Sequence, residues 1–275
     1  MRRLVGSPLA LIGSALLALL VLTAFAGPLL YPYGHTEQDH TALLAPPSYE
    51  HWLGTSRLGE DLLAQSMRGL QKSLVIGLLV AVVSTLLAAL VGTVAGLAGR
   101  WADRSLMWLV DVLLTLPPFL IVAVLSPALR DRSWILMVLI IAAFQWMLTA
   151  RMVRARTMSL RGADFVRAAE FMGASRARII VTHLLPNMAP LLIIDCTINV
   201  GAAVLSEAGL SYFGFGIQPP DVSLGTLVAT GSGSALTYPW AFLVPVGFLV
   251  TAVVAVGLLG EALRRALGQE ENHVA

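Results

Sequence analysis

Cysteine, lysine and charge are all scarce in this sequence of 275 residues. Cys196 is its one cysteine, which excludes a small secreted domain held together by disulfides. Charged residues make up 12% of the chain and hydrophobic residues 57%, whereas soluble domains carry roughly 25% charged residues. This balance excludes a disordered chain and indicates a protein whose solvent is lipid.

Lysine occurs once, as Lys72, and the other 17 basic residues are arginines. A P-loop holds nucleotide phosphates with Gly-Lys-Ser or Gly-Lys-Thr, but Lys72 follows a glutamine. The sequence therefore has no P-loop, and we expect no cofactor in this chain; if ATP drives its work, another subunit hydrolyses it. His-Glu-x-x-His, Gly-x-Ser-x-Gly and cysteine–histidine clusters are also missing, so no catalytic residue and no metal site are predicted.

Six apolar stretches approach the length of about 20 residues that a membrane-spanning helix needs. They predict an all-α polytopic membrane protein with a single transmembrane domain over residues 1–275. The first stretch could also be a cleavable signal peptide, but its apolar run of about 22 residues is longer than usual and favours a retained helix. The stretches cover approximately residues 8–30, 74–98, 106–129, 134–152, 188–212 and 240–259.

The placement of arginine predicts the orientation of these helices. With the N-terminus inside, the cytoplasmic segments contain 13 of the 18 basic residues, as expected because cytoplasmic loops are enriched in lysine and arginine. Both termini are therefore predicted to be cytoplasmic. Residues 31–73 and 213–239 become external loops, and residues 151–187, which contain seven arginines, become a cytoplasmic loop.

The cytoplasmic loop is predicted to contain a short amphipathic helix. Asp164 suits its N-cap, Gly173 suits a left-handed stop, and Ser175 can cap a second helix. A surface with two central alanines suits docking into a groove of a cytoplasmic partner. The alternatives are an orientation signal, contact with anionic headgroups or, least favoured, DNA binding. The apolar stripe of the first helix consists of Phe165, Ala168, Ala169 and Met172.

Three stretches resemble motifs of one transporter family. Residues 167–186, RAAEFMGASRARIIVTHLLP, resemble the cytoplasmic "EAA" loop of ABC importer permeases. Arg167 replaces the glutamate of that pattern and His183 its isoleucine, and both departures are similar to the peptide-permease branch. Residues 51–62, HWLGTSRLGEDL, and residues 206–216, SEAGLSYFGFG, resemble two further signatures of the same branch.

The resemblance implies the second permease subunit of a dipeptide, oligopeptide or nickel importer, with six helices of the type I permease kind, in the inner membrane of a bacterium. Such a subunit pairs with a sister permease, one or two cytoplasmic ATPases that bind ATP and magnesium, and an extracytoplasmic solute-binding protein. A self-sufficient secondary transporter or channel is the less favoured alternative, because ion-site acids are few and no repeats are visible. The residues expected to couple to the ATPase are Phe165, Arg167, Ala168, Ala169, Met172, Gly173, His183 and Pro186.

Polar residues inside the fifth apolar stretch are candidates for a pathway or for helix packing. Asp195 and Glu207 are twelve residues apart, about 18 Å along a helix and about 120° around it, so they face different directions. Asn199 lies one turn beyond Asp195. We expect one acid to line a pathway and the other to pack against a neighbouring helix, and for Glu207 both roles stay open.

Other features are expected to be structural. Pro117 and Pro118 predict a kink in the third stretch. Gly92 and Gly96 form a Gly-x-x-x-Gly pair, which predicts close helix contact within or between subunits. The histidines and acids of the first external loop could supply metal ligands, but their spacing fits no established site, and a solvated loop is the better interpretation.

Overall fold

The computed structural model describes residues 7–129 and 134–271, which form a helical bundle without a β-strand in those ranges. Arg2, Arg3, Arg130 and Arg132, which enter the arginine count above, lie outside the described residues. The helices are α1 (Pro8–Phe25), α2 (Gly27–Leu30), α3 (Leu62–Leu97), α4 (Arg100–Thr115), α5 (Pro118–Leu129), α6 (Trp134–Arg161), α7 (Asp164–Phe171), α8 (Arg176–Ile179), a π-helical segment (Ile180–Leu184), α9 (Leu185–Tyr212), α10 (Leu224–Ser232) and α11 (Trp240–Glu271).

Several of these helices are long and apolar enough to cross a membrane. Five qualify by themselves: α1, α3, α6, the continuous run Arg176–Tyr212, and α11 up to Leu267. The pair α4 and α5 makes a sixth crossing if its two bent halves are taken as one span. The prediction of an all-α polytopic membrane protein is therefore confirmed.

The predicted kink lies between α4 and α5, whose axes are bent by 73°. Leu116 caps α4 in an extended conformation, with ψ of 129°. A residue that precedes a proline is disfavoured in the helical region because the proline ring clashes with it. The helix therefore stops before Pro117 and resumes at Pro118 in a new direction.

Three helices, α3, α6 and α11, extend well beyond the apolar stretches that identify them. The second span begins at Leu62 rather than near residue 74, because the Asp61 carboxylate caps the helix by accepting a hydrogen bond from the Ala64 amide at 2.9 Å. The fourth span continues to Arg161. Hydropathy marks only the part of a helix that suits lipid, whereas caps and polar turns set its ends. The first loop therefore begins at residue 31 but ends at Asp61, and residues 213–239 contain α10.

Small residues bring α3 and α6 together at the centre of the bundle. A Cβ atom on Gly92 would lie 2.6 Å from the Ala150 carbonyl oxygen, and one on Gly96 would lie 2.6 Å from the Thr157 Cβ atom. The Gly-x-x-x-Gly pair is therefore a contact surface within this chain, between α3 and α6. On another face of α3, Gly77 lies against α9 at Val204.

Candidate coupling surface and pathway

The short helix α7 is anchored to the bundle by two buried side chains. Val166 and Ala169 are 0% and 1% exposed. Their positions, three residues apart, place them on one face of the helix. Because their neighbours come from α3, α6, α8, the π-helical segment and α9, the helix rests on several spans at once. The buried partners in this cluster are Leu97, Val153, Ile179, Leu184 and Met188.

The ends of α7 follow from local backbone chemistry. The N-cap is Ala163 and not Asp164. Asp164 is the first residue of the helix, and no side chain makes a capping hydrogen bond there. The turn after α6 is only two residues long and leaves Ala163 as the extended residue, with ψ of 147°. Gly173 ends the helix in the left-handed conformation, with φ of +80°, as its sequence position indicated. Ser175 then caps α8 by accepting a hydrogen bond from the Arg178 amide at 3.4 Å.

The outer face of α7 differs from the predicted stripe. Ala169 lies inside the protein, so it positions the helix and cannot itself touch a partner on the surface. Phe171, which the periodicity argument left out, is 92% exposed, and Met172 is 80% exposed. Because Val166 and Ala169 select the inner face, the exposed apolar face consists of Phe165, Ala168, Phe171 and Met172. The sequence does contain a clue to the exposure of Phe171. It is a large apolar residue next to Met172 in a segment that is rich in arginine.

The other residues expected to couple lie on or beside this face. Arg167 and Gly173 are exposed. His183, in the π-helical segment, is half-buried, and its ring centre lies 6.4 Å from that of Phe165. Pro186 is exposed in the first turn of α9. The structure therefore brings an exposed apolar and basic surface to the loop between α6 and α9.

Two arginines of α6 hold this helix against α4. Arg154 makes an ion pair with Asp103, and Arg151 makes one with Asp111. Both acids belong to α4. Two of the seven arginines in residues 151–187 thus hold the bent pair of α4 and α5 in place. This role is additional to any effect of these arginines on the orientation of the chain in the membrane.

Asp195 forms a polar cluster between α6 and α9. One of its carboxylate oxygens accepts hydrogen bonds from the Thr149 hydroxyl and the Asn199 side-chain amide, each at 2.8 Å. The Gln145 side-chain amide donates to the Asn199 carbonyl oxygen, also at 2.8 Å. Asp195 and Asn199 are only partly buried, so this cluster reaches the surface of the two helices.

Glu207 has a different environment on the same helix. It is fully buried and accepts hydrogen bonds from the Ser73 hydroxyl of α3 at 3.0 Å and from the Ser211 hydroxyl at 2.6 Å. The Ser73 hydroxyl in turn accepts from the Leu224 amide at the start of α10. Glu207 therefore joins α3, α9 and α10, and its place in the structure is that of a packing residue.

The segment between α2 and α3 is held by a buried histidine. His51 is 3% exposed, and its Nδ1 atom lies 2.9 Å from an Asp61 carboxylate oxygen, to which the Tyr31 hydroxyl also donates. Burial raises the pKa of Tyr31, and the hydrogen bond to Asp61 adds to that rise. In residues 7–129 and 134–271 no three metal-ligating side chains come together. His51 thus orders this segment through Asp61, the residue that caps α3.

The chain is similar to known transport proteins over nearly its whole length. Residues 88–270 match the family described as binding-protein-dependent transport system inner membrane component. Residues 1–47 match the N-terminal TM domain of oligopeptide transport permease C. The oligopeptide transport system permease protein OppC of Mycobacterium tuberculosis is 52% identical over 267 residues, covering 97% of this chain and 92% of that protein. OppC of Bacillus subtilis is 30% identical over 267 residues, covering 97% and 87%.

Proposed function

The chain belongs to the family of binding-protein-dependent transport system inner membrane components, and we propose that it is the permease subunit of an ATP-driven peptide importer. The relatives named for oligopeptide transport favour peptides over nickel or another small solute as cargo. In this proposal the chain forms half of the translocation pathway and a sister permease forms the other half. One or two ATPase subunits bind ATP and magnesium, so this chain itself is non-catalytic. A solute-binding protein delivers the cargo.

We place the chain in the plasma membrane of a bacterium, with both termini in the cytoplasm. The arginine distribution supports this orientation, which puts residues 151–187 on the cytoplasmic side. The packing of α1 supports a retained first helix, because a Cβ atom on Gly13 would lie 3.0 Å from the Leu258 Cβ atom of α11. A signal peptide that is removed has no reason to fit another span so closely.

The observation that carries the proposal is the exposed apolar face of α7. Phe171 and Met172 stand almost fully in solvent beside exposed arginines, and burying large apolar side chains in a groove of a partner is favourable by about 1.5–3 kcal/mol each. The opposite face, with Val166 and Ala169, is packed against the ends of several spans. Movement of an ATPase groove would therefore pull α7 as a rigid body and pass the motion to α6 and α9.

In this proposal the Asp195 cluster lines the translocation pathway of the cargo. Asp195 and Asn199 are partly exposed on α9, and polar groups in membrane spans normally face a cavity or another subunit. Glu207 is excluded from this role because it is buried among serine hydroxyls.

The coupling role is tested with Phe171→Arg in the assembled importer, using affinity-tagged permease. We expect membrane levels of the permease to be unchanged, while co-purified ATPase and peptide uptake fall by about tenfold or more, as for loss of a buried interface anchor. Leu236→Arg is the matched control, because Leu236 is equally exposed but lies in the loop proposed to be external. That control should retain the ATPase.

Two results would contradict the proposal. Normal uptake and normal ATPase binding by Phe171→Arg would remove α7 as the coupling element. Peptide uptake by the purified chain alone, without ATPase subunits, would instead indicate a self-sufficient transporter.

A further inference from the structure

The first half of α4 has an exposed face with two tryptophans. Trp101 and Trp108 are 84% and 65% exposed, and their spacing of seven residues, nearly two helical turns, brings them to the same side of the helix. Val110 is fully buried and lies about half a turn around the helix from Trp101. The Val110 side of α4 therefore packs on the bundle, and the tryptophans point away from it.

Arg100 and Arg104 form a basic edge beside the tryptophans. They are one helical turn apart, and both are exposed. Within residues 7–129 and 134–271, neither of these two side chains makes a hydrogen bond or an ion pair. Asp103, the acid that lies between them in the sequence, is occupied by Arg154 of α6. The two positive charges are therefore not neutralised by this part of the chain.

A third arginine lies at the corner between α3 and α4. Arg176 of α8 is exposed, and its guanidinium donates a hydrogen bond to the Ala98 carbonyl oxygen at 3.4 Å. Ala98 caps the end of α3, two residues before the start of α4. This bond brings the corner next to residues 151–187, the loop proposed to be cytoplasmic, and adds to its positive charge.

The direction of α4 keeps both tryptophans near one level of the membrane. Its two acids that bind α6 are eight residues apart, about 12 Å along the helix, whereas their partners Arg151 and Arg154 are about 4.5 Å apart along α6. α4 therefore runs across α6 at an angle. The bend of 73° between α4 and α5 agrees with a strong tilt, because membrane spans tilt by about 20° on average and two helices at this angle cannot both do so.

Tryptophan and arginine in this arrangement suit the boundary between lipid and water. Indole rings are enriched at the level of the lipid headgroups, and arginines beside a membrane attract anionic lipids. An anionic phospholipid offers both kinds of contact in one molecule. Its phosphate can accept hydrogen bonds from the guanidinium groups, and its acyl chains can cover the indole rings.

We propose that the first half of α4 binds an anionic phospholipid, with the headgroup held by Arg100 and Arg104 and the upper acyl chains packed on the two tryptophans. The orientation proposed above assigns this lipid to the cytoplasmic leaflet. The lipid anchors the beginning of the bent pair α4 and α5 at the membrane surface, at the corner that Arg176 links to the loop carrying α7.

The experiment uses lipids with bromine atoms near the headgroup end of the acyl chains, which quench the fluorescence of indole rings that they touch. The chain, with the subunits that co-purify with it, is reconstituted into bilayers of equal amounts of phosphatidylglycerol and phosphatidylcholine, and one of the two lipids is brominated. Subtracting the signal of the double variant Trp101→Phe and Trp108→Phe isolates these two residues. We expect brominated phosphatidylglycerol to quench them about threefold more than brominated phosphatidylcholine, as for the attraction of two arginines to an anionic headgroup.

The double variant Arg100→Gln and Arg104→Gln should lose this preference, so that both brominated lipids quench equally. The matched control is the double variant Arg264→Gln and Arg265→Gln. It removes the same charge from exposed arginines near the end of α11, which are both bound to Glu261. This control should keep the preference for phosphatidylglycerol.

Three results would overturn the proposal. Equal quenching of the unaltered chain by the two brominated lipids would exclude selection of an anionic headgroup. An undiminished preference in the variant without Arg100 and Arg104 would show that these arginines do not hold the headgroup. Absence of quenching by either lipid would show that another subunit covers this face of α4. None of these results depends on peptide uptake, so the proposed function is tested separately.

Discussion

The backbone of Gly92 in α3 lies so close to Ala150 in α6 that a methyl group on the glycine would be 2.6 Å from the carbonyl oxygen. The backbones of the two spans therefore approach each other closely at this point. The Val153 side chain closes the same contact, at 2.7 Å from that methyl position. This contact holds the centre of the bundle on which α7 rests.

Replacing Gly92 by alanine should destabilise the folded protein. The added methyl group must push α6 away, at a cost of about 1–3 kcal/mol for an overpacked contact. The midpoint temperature of unfolding in detergent should therefore fall. Gly257→Ala in α11 is the control, because no heavy atom lies within 4 Å of that methyl position, and helix propensity predicts a gain of about 0.5–1 kcal/mol. Equal midpoints for both variants would argue against close packing at Gly92.

Glu207 should be needed for stability. Glu207→Leu leaves the Ser73 and Ser211 hydroxyls without their acceptor in a buried site, at a cost of about 1–3 kcal/mol for each unsatisfied group. Glu207→Gln keeps an acceptor oxygen and should lose much less. Thermal unfolding of the two variants in detergent measures the difference. If Glu207→Leu unfolds at the same temperature as the unaltered chain but no longer transports peptide, Glu207 acts on cargo instead.

His51 should order the segment between α2 and α3. His51→Ala removes one of the partners of the buried Asp61 carboxylate, and a loss of about 1–3 kcal/mol there should raise the rate of amide hydrogen exchange in residues 31–61 by about tenfold. His40→Ala is the control, because His40 is exposed in the same segment. Indistinguishable exchange in the two variants would show that the His51–Asp61 contact contributes nothing to this order.

Local sequence rules predicted the parts of the site that depend on neighbouring residues. The sequence predicted both the left-handed end of α7 at Gly173 and the helix cap at Ser175. These predictions succeed because the conformation of a turn is set by the residues within it. The inward position of Ala169 and the exposed position of Phe171 were not. Both depend on which face of α7 meets the ends of spans that are distant in sequence.

By itself, the sequence determined the membrane class, the kink at Pro117 and Pro118, and the family motifs, since each depends on composition or on a short run of residues. Only the tertiary structure decided that Glu207 meets Ser73, 134 residues away in the chain, and that Gln145 lines a cavity beside α9. The physical reason is that a side chain's partners are chosen by helix packing. The periodicity of a single helix specifies which residues share a face, but not which neighbour that face will meet.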